Sequence, residues 1–244
     1  MTAILNKGMN MNKLLAIAVM AFALSSAFAA DPFTDAVQKA YAPYRTALFK
    51  TNSNSQPEAQ QAMQQAQQTW AQIVAQFATR APAPYDRDVR FAVTLAEVAS
   101  VYAQAATEVS QNQLPQAHET LEKVRDLLAD LRHRNQVIVY SDHMNAYHSA
   151  MEQVINEGEK LLAQPDGMQR LTAQAGVLAY LGEKLTAEAP AEYLKNEEFI
   201  TLAKAQKKSV DDLQAALFAL DAKAVKAAIG KLKGPYSRMF LKFG

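Results

Sequence analysis

The sequence predicts an all-α protein: an antiparallel helical bundle of about eight helices, built from αα-hairpins as one bundle or as two stacked bundles. Two observations carry this. Ala, Gln, Leu, Glu and Lys dominate a chain that has only 8 glycines in 244 residues, and these residues lose least on entering a helix. Apolar positions recur every third and fourth residue almost throughout, which is the period of one helix face, and no stretch alternates as a half-buried strand does.

Residues 1–29 stand apart from that pattern. Lys13 precedes an apolar run from Leu14 to Leu24, and Ser25, Ser26, Ala27, Phe28 and Ala29 follow. A basic start, a short apolar centre and an Ala-x-Ala exit make a secretory signal peptide, cut after Ala29. Residues 1–8 or 1–10 read as an over-extended start, with Met9 or Met11 as initiator. The expected location is the bacterial periplasm. The run is shorter than the roughly 20 residues that cross a bilayer, and later apolar runs are all broken by charge or Gln, so no transmembrane span is expected in residues 30–244. Removing the signal takes Lys7 and Lys13 from the 25 basic residues and none of the 24 acidic ones. A nearly neutral chain has no bulk attraction for nucleic acid.

The elements follow in order. Asp31-Pro32 starts a first helix, because Asp caps and Pro suits the first helical position; Val37, Tyr41, Tyr44 and Leu48 form its stripe. Ala59, Met63, Ala66, Trp70, Ile73 and Phe77 run as a stripe through a glutamine-rich second helix, which argues for order. Ala81-Pro82-Ala83-Pro84 is a stiff connector, and 81–85 is the best internal boundary. Asp86 is the expected cap of a third helix with Val89, Ala92, Leu95, Ala99, Tyr102 and Ala106 on one face. A fourth helix follows Leu114-Pro115, with Ala117, Leu121, Val124, Leu128 and Leu131. Val137 to Tyr140 is a β-branched connector pinned to the core. A fifth helix capped by Ser141 or Asp142 runs to about Gln164, a sixth from about Met168 to Glu188, a seventh from about Ala191 to Leu220, and an eighth from Asp221 to Gly234-Pro235. A weak internal echo, a helix end followed by a polar break and an alanine-rich helix, recurs after Phe49, Val109 and Phe218.

All four histidines lie between His118 and His148. Imidazole is the commonest transition-metal ligand, and His118 with Glu122 and His148 with Glu152 are each spaced to share a helix face. An antiparallel pairing of the fourth and fifth helices places His133 beside Asp142 and His143, and Asp126 beside His148. Two small clusters are expected: His133, Asp142 and His143 near the connector, and Asp126, Met144, His148 and Glu152 deeper. The two His-x-x-x-Glu pairs are expected to stay apart, offset by roughly 13 Å at the helical rise. Thioether with imidazole suits copper, and imidazole with carboxylate suits zinc, iron or copper(II). The leading expectation is therefore a non-enzymatic metal-binding protein, with His118, His133, Asp142, His143, Met144, His148 and Glu152 as candidate ligands. Its rival is a helical adaptor or ligand-binding protein in which the histidines are structural.

Other chemistries are narrowed by what is missing. The chain has no Cys, which excludes attached c-type haem, iron–sulfur clusters and thiolate zinc sites. A b-type haem or electron-transfer bundle, using His148 with Met63 or Met239, is a second alternative. The paired Glu-x-x-His motifs of di-iron bundles are absent, the nearest sequence being Asp130-Leu131-Arg132-His133. No G-x-S-x-G, H-E-x-x-H, Walker loop or G-x-G-x-x-G occurs. The aromatic C-terminal tail, with Tyr236, Met239, Phe240, Leu241 and Phe243, either docks on its own bundle or is offered to a protein partner. N-terminal sequencing of the exported protein is expected to read Ala-Asp-Pro-Phe; a retained N-terminus in exported material would overturn the signal assignment.

Overall fold

Asp31 caps the first helix: its Oδ1 accepts from the backbone N–H groups of Phe33 and Thr34 at 3.1 and 3.0 Å. Pro32 fills the first helical position, where no N–H is needed. The helix so started, α1, spans Pro32–Asn52. This computed structural model describes residues 31–244 except residue 54, so the signal segment 1–29 lies outside the described residues. There follow α2 (Gln56–Phe77), α3 (Phe91–Ser110), α4 (Leu114–Arg134), α5 (Tyr140–Leu162), α6 (Gly167–Ala187), α7 (Glu197–Phe218), α8 (Ala222–Ile229) and α9 (Lys233–Phe243). Short 3₁₀ turns lie at Tyr85–Arg87 and Tyr193–Lys195, and no strand occurs among the described residues. The protein is an all-α helical bundle.

Helices α1 to α4 pack in sequence order, and α4 closes back on α1. The stripes read from the sequence for α1 and α2 are buried residue for residue. Polar tips inside the bundle find backbone partners, as buried donors must. Trp70 Nε1 donates to Leu95 O at 3.0 Å, and the Tyr44 hydroxyl donates to Leu121 O at 3.2 Å. Phe33 sits edge-on to Phe77, Tyr85 and Phe91, with centroids 4.9 to 5.5 Å away, and this aromatic cluster seals one end.

Helices α5, α6 and α7 form a second consecutive set, on which α8 and α9 fold back: both pack on α7 and both touch α5. Helix α9 also packs on α1, and one continuous apolar core runs through both groups. Residues 31–244 form a single compact unit. The connector 81–85, read as an internal boundary, instead joins α2 to α3 within the first group. The passage between the groups is the segment 135–139.

Helix α3 begins later than expected. Asp86 lies in the 3₁₀ turn, and Val89, placed on the apolar face by the sequence, is 94 % exposed. The face that is buried runs through Phe91, Leu95, Val98, Tyr102 and Ala105. The cause is tertiary. Asp88 accepts from Asn135 Nδ2 at 2.9 Å, from Arg134 Nη2 at 3.0 Å and from the Arg90 backbone N–H at 2.9 Å, which holds 88–90 in a turn against the end of α4. At the other end, Gly234-Pro235 does not stop a helix but lies in the first turn of α9. Tyr236, Met239, Phe240 and Phe243 are all buried, so these tail residues pack on their own bundle. No described helix is long and apolar enough to cross a membrane.

Three helices end alike. Asn112, Gln136 and Leu220 each adopt φ of 54 to 57°, and the next residue's N–H returns to the helix: Gln113 to Glu108 O, Val137 to Arg132 O and Asp221 to Ala216 O, at 2.8 to 3.2 Å. This double turn satisfies the orphan carbonyls of the last helical turn. Two of the three lie at places where the sequence echoes itself, after Val109 and Phe218. Asn tolerates the left-handed region, but Leu does not. The Leu220 side chain is 72 % exposed and packs on little. Leu220→Gly is therefore expected to stabilise the fold by about 1 kcal/mol, read as a higher urea midpoint with an unchanged slope.

A candidate metal site between α4 and α5

Helix α4 carries His118 and Glu122 one turn apart, and α5 carries His148 and Glu152 in the same way. The structure brings these two pairs together. His118 Nε2 lies 3.7 Å from Glu122 Oε1, and His148 Nε2 lies 4.0 Å from that same oxygen and 3.6 Å from Glu152 Oε1. The expected separation of the pairs is thus corrected, and the reason is geometric. The roughly 13 Å offset applies to the two histidines. In the antiparallel register the two glutamates are level, and each histidine reaches one turn inward to meet them. Helices α4 and α5 do not pack backbone to backbone as α3 and α4 or α5 and α6 do, so side chains fill the space between them.

The electrostatics of the cluster are unusual. His118 Nδ1 lies 3.0 Å from Leu48 O, with Thr51 Oγ1 at 3.3 Å. Donation from Nδ1 to that carbonyl leaves Nε2 as a lone pair facing a carboxylate. Contacts of 3.6 to 4.0 Å are too long to be hydrogen bonds. Arg125 Nη2 stands 3.5 Å from Glu122 Oε1, and Lys233 Nζ, from α9, 3.0 Å from Glu152 Oε1. Lys233 approaches off the hydrogen-bonding direction, and the buried Glu152 Oε1 accepts no hydrogen bond. The His148 ring packs on Tyr236 at 5.3 Å between centroids, and the Tyr236 hydroxyl donates to Met144 O at 3.1 Å.

Both imidazoles are neutral at pH 7. Burial lowers the His148 pKa to about 3, and the positive charges of Arg125 and Lys233 push the same way. Burial also lowers the His118 pKa, against the opposing pull of Glu122 and the Leu48 carbonyl. A cavity of about 50 Å³ adjoins the cluster, lined among others by Arg45, Asn52, Lys233 and Phe240. It has room for an ion with its water.

The remaining candidates go elsewhere. Asp142 is spent on structure: Arg132 donates to it from Nε at 3.0 and 2.9 Å and also from Nη2, and the Val139 backbone N–H donates to its Oδ2 at 3.0 Å. His133 is exposed on the last turn of α4, His143 is half-buried on the first turn of α5, and the connector cluster of His133, Asp142 and His143 is not assembled. Met144 and Met151 are fully buried in the core. Asp126 points to solvent, its nearest cation being Arg125 Nε at 4.0 Å. As the side chains stand, no three His, Asp or Glu groups among the described residues are placed to hold a metal ion. Glu122 was the residue undervalued in the sequence, although a signal existed: it lies ten residues before Arg132, as Glu152 lies ten after Asp142. Lys233 and Tyr236 had no local signal at all. The chain matches no protein-family model, no curated protein and no solved structure.

The buried neutral His148 makes stability depend on pH. Its folded-state pKa lies below the ordinary value of about 6.5, so as pH falls the unfolded chain takes up the proton first. The contribution is present above about 6.5 and is lost progressively toward 3, amounting to about 2 kcal/mol between pH 7 and pH 5. Urea midpoints should fall across that range, and His148→Leu should flatten this part of the profile. An unchanged slope in His148→Leu would mean the imidazole is not held neutral.

Proposed function

We propose that this chain is an exported, non-enzymatic helical-bundle protein that binds a divalent transition-metal ion, zinc, iron or copper(II), between α4 and α5 through His118, Glu122, His148 and Glu152. The observation that carries this reading is the convergence of both His-x-x-x-Glu pairs on one half-buried place. Acceptor atoms there face one another at 3.6 to 4.0 Å. Donors about 2.1 Å from a tetrahedral ion stand about 3.4 Å apart, so each of these three pairs must close by a few tenths of an ångström, and the side chains must shift together, because no three of them are placed to hold an ion as they stand. Binding also requires Lys233, a half-exposed side chain, to release Glu152. The hydrogen bond from His118 Nδ1 to Leu48 O supports the reading, because such outer contacts orient a ligating imidazole. The set is imidazole and carboxylate, which suits zinc, iron and copper(II); Met144 and Met151 are sealed in the core and do not support a thioether site for copper(I). Export rests on the signal segment, and the non-enzymatic reading on the absence of any catalytic motif.

Tag-free protein stripped with chelator is the material for the test, with calorimetric titration by copper(II) and zinc. One ion should bind per chain, copper(II) more tightly than zinc, and metal at a hundredfold excess over Kd should stabilise the fold by about 2.7 kcal/mol. His118→Ala with His148→Ala should abolish binding and keep the helical spectrum. His133→Ala with His143→Ala should leave binding intact, and Lys233→Met should tighten it. Binding no tighter than about millimolar, or an unaffected His118/His148 double variant, would overturn the proposal and leave the histidines structural, in a ligand-binding or interaction protein.

A further inference from the structure

The charge around the histidine cluster balances only while the cluster is free of metal. Two carboxylates, Glu122 and Glu152, face two cations, Arg125 and Lys233. A divalent ion bound by both carboxylates takes up their charge. The two cations then lose what opposes them, in a confined space where like charges repel. Arg125 feels this most. Its side chain is only 11 % exposed, so its guanidinium is not free to turn out to water as a surface arginine does. Among the described residues it makes no hydrogen bond, and its nearest acids are Glu122 Oε1 at 3.5 Å and the solvent-facing Asp126 at 4.0 Å. That Glu122 oxygen is the one both histidines approach. Lys233 stands in the same relation to Glu152, because its partner Oε1 is the oxygen that His148 faces. Each cation is paired through the atom a metal ion would take.

Space for a compensating charge lies beside the cluster. The cavity of about 50 Å³ is bordered by Arg125, Lys233, His118 and His148 together, and Asn52 and Ser237 add neutral polar groups to its wall. Arg45, also on this wall, is engaged with Leu241 O at 3.2 Å and Lys242 O at 3.4 Å. One water needs about 10–15 Å³ of such space, so the cavity matches a handful of waters or one inorganic oxyanion. A guanidinium presents its donors in a fork that fits the oxygens of such an anion. Zinc can expand from four ligands to five, which leaves a position for an anion oxygen beside four protein donors.

We propose that the metal ion is held together with a small inorganic oxyanion, of the carbonate or phosphate type, which ligates the ion from the cavity and accepts hydrogen bonds from Arg125 and Lys233. This rests on the metal reading above and adds the co-ligand. Metal and anion then bind well only together, and each raises the affinity for the other by the same factor.

The test uses tag-free, chelator-stripped protein from residue 30 onward, in carbonate-free buffer under argon. Equilibrium dialysis against labelled bicarbonate, and separately against labelled inorganic phosphate, compares metal-free with zinc-loaded protein. Zinc-loaded protein should bind one anion per chain, about tenfold or more tightly than metal-free protein, and the tighter of the two probes names the co-ligand. The visible absorption band of the copper(II) protein should shift when that anion is added. Arg125→Met should weaken anion binding to the zinc-loaded protein about tenfold, as the loss of a hydrogen bond to a charged group does, and Arg125→Lys should restore part of it. Lys233→Met, at a half-exposed position, supplies the same reading if Arg125→Met does not fold: anion binding should fall while zinc binds more tightly in anion-free buffer. Zinc affinity untouched by either anion, equal anion binding with and without zinc, or unaffected anion binding in these variants would overturn the inference and leave the metal reading standing. Protein that binds no metal would overturn both.

Discussion

The ion pair between Arg132 and Asp142 sets the relation between the two halves of this protein. Arg132 is 4 % exposed, and two of its nitrogens reach the Asp142 carboxylate. A pair of this kind owes its Coulomb energy to burial and would leave a stranded charge if broken, at a cost of about 3–5 kcal/mol. It does more than join two residues. Asp142 also accepts from the backbone N–H of Val139, so the same carboxylate starts α5 and ties it to the end of α4. Because α4 and α5 lack close backbone packing, this link decides their register. Everything further along the two helices inherits it, including the level placement of Glu122 and Glu152.

The candidate site has an architectural origin. It lies where a helix from the first group faces one from the second, and it is finished by α9. Lys233 and Tyr236 complete the histidine cluster. Arg45 borders its cavity, and its bonds to the last carbonyls of α9 hold that helix in place. The interior of each half is filled mainly by apolar residues. Two-layer folds commonly place their sites in this way, where separate elements contribute side chains to a space that neither fills alone.

Periodicity read most of the fold, and the reason is local. The stripe through the glutamines of α2 is set by residues within one helix, so Ala59, Met63, Ala66, Trp70, Ile73 and Phe77 could be assigned to one buried face without knowing what covers them. The start of α3 could not. Asp88 is held by Arg134 and Asn135, more than forty residues away, and that distant demand outweighs any local capping preference of Asp86. The site divides along the same line. The spacing within each His-x-x-x-Glu pair was visible, while the meeting of the pairs depended on side-chain reach across a gap between helices. Asp142 looked like a ligand because its neighbours are histidines, but its true partner is an arginine ten residues earlier. The tail aromatics were legible as apolar, and only the fold decided what they cover.

The docking of α9 on α1 joins the first and last described helices through contacts nearly two hundred residues apart in sequence, such as that of Arg45 with Leu241. Apart from the closure of α4 on α1, contacts within α1 to α4 are between consecutive helices and close small loops, so they can form early and fast. The α1–α9 contact closes the largest loop in the molecule and has the greatest entropy to overcome. It therefore belongs to the last stage of folding. A chain caught before that stage holds His118, Glu122, His148 and Glu152 on helices already made, yet lacks Lys233 and Tyr236 beside them. Arrival of the final helix is then the event that sets a cation against Glu152 and an aromatic ring against His148, and it couples completion of the chain to the finished form of this cluster.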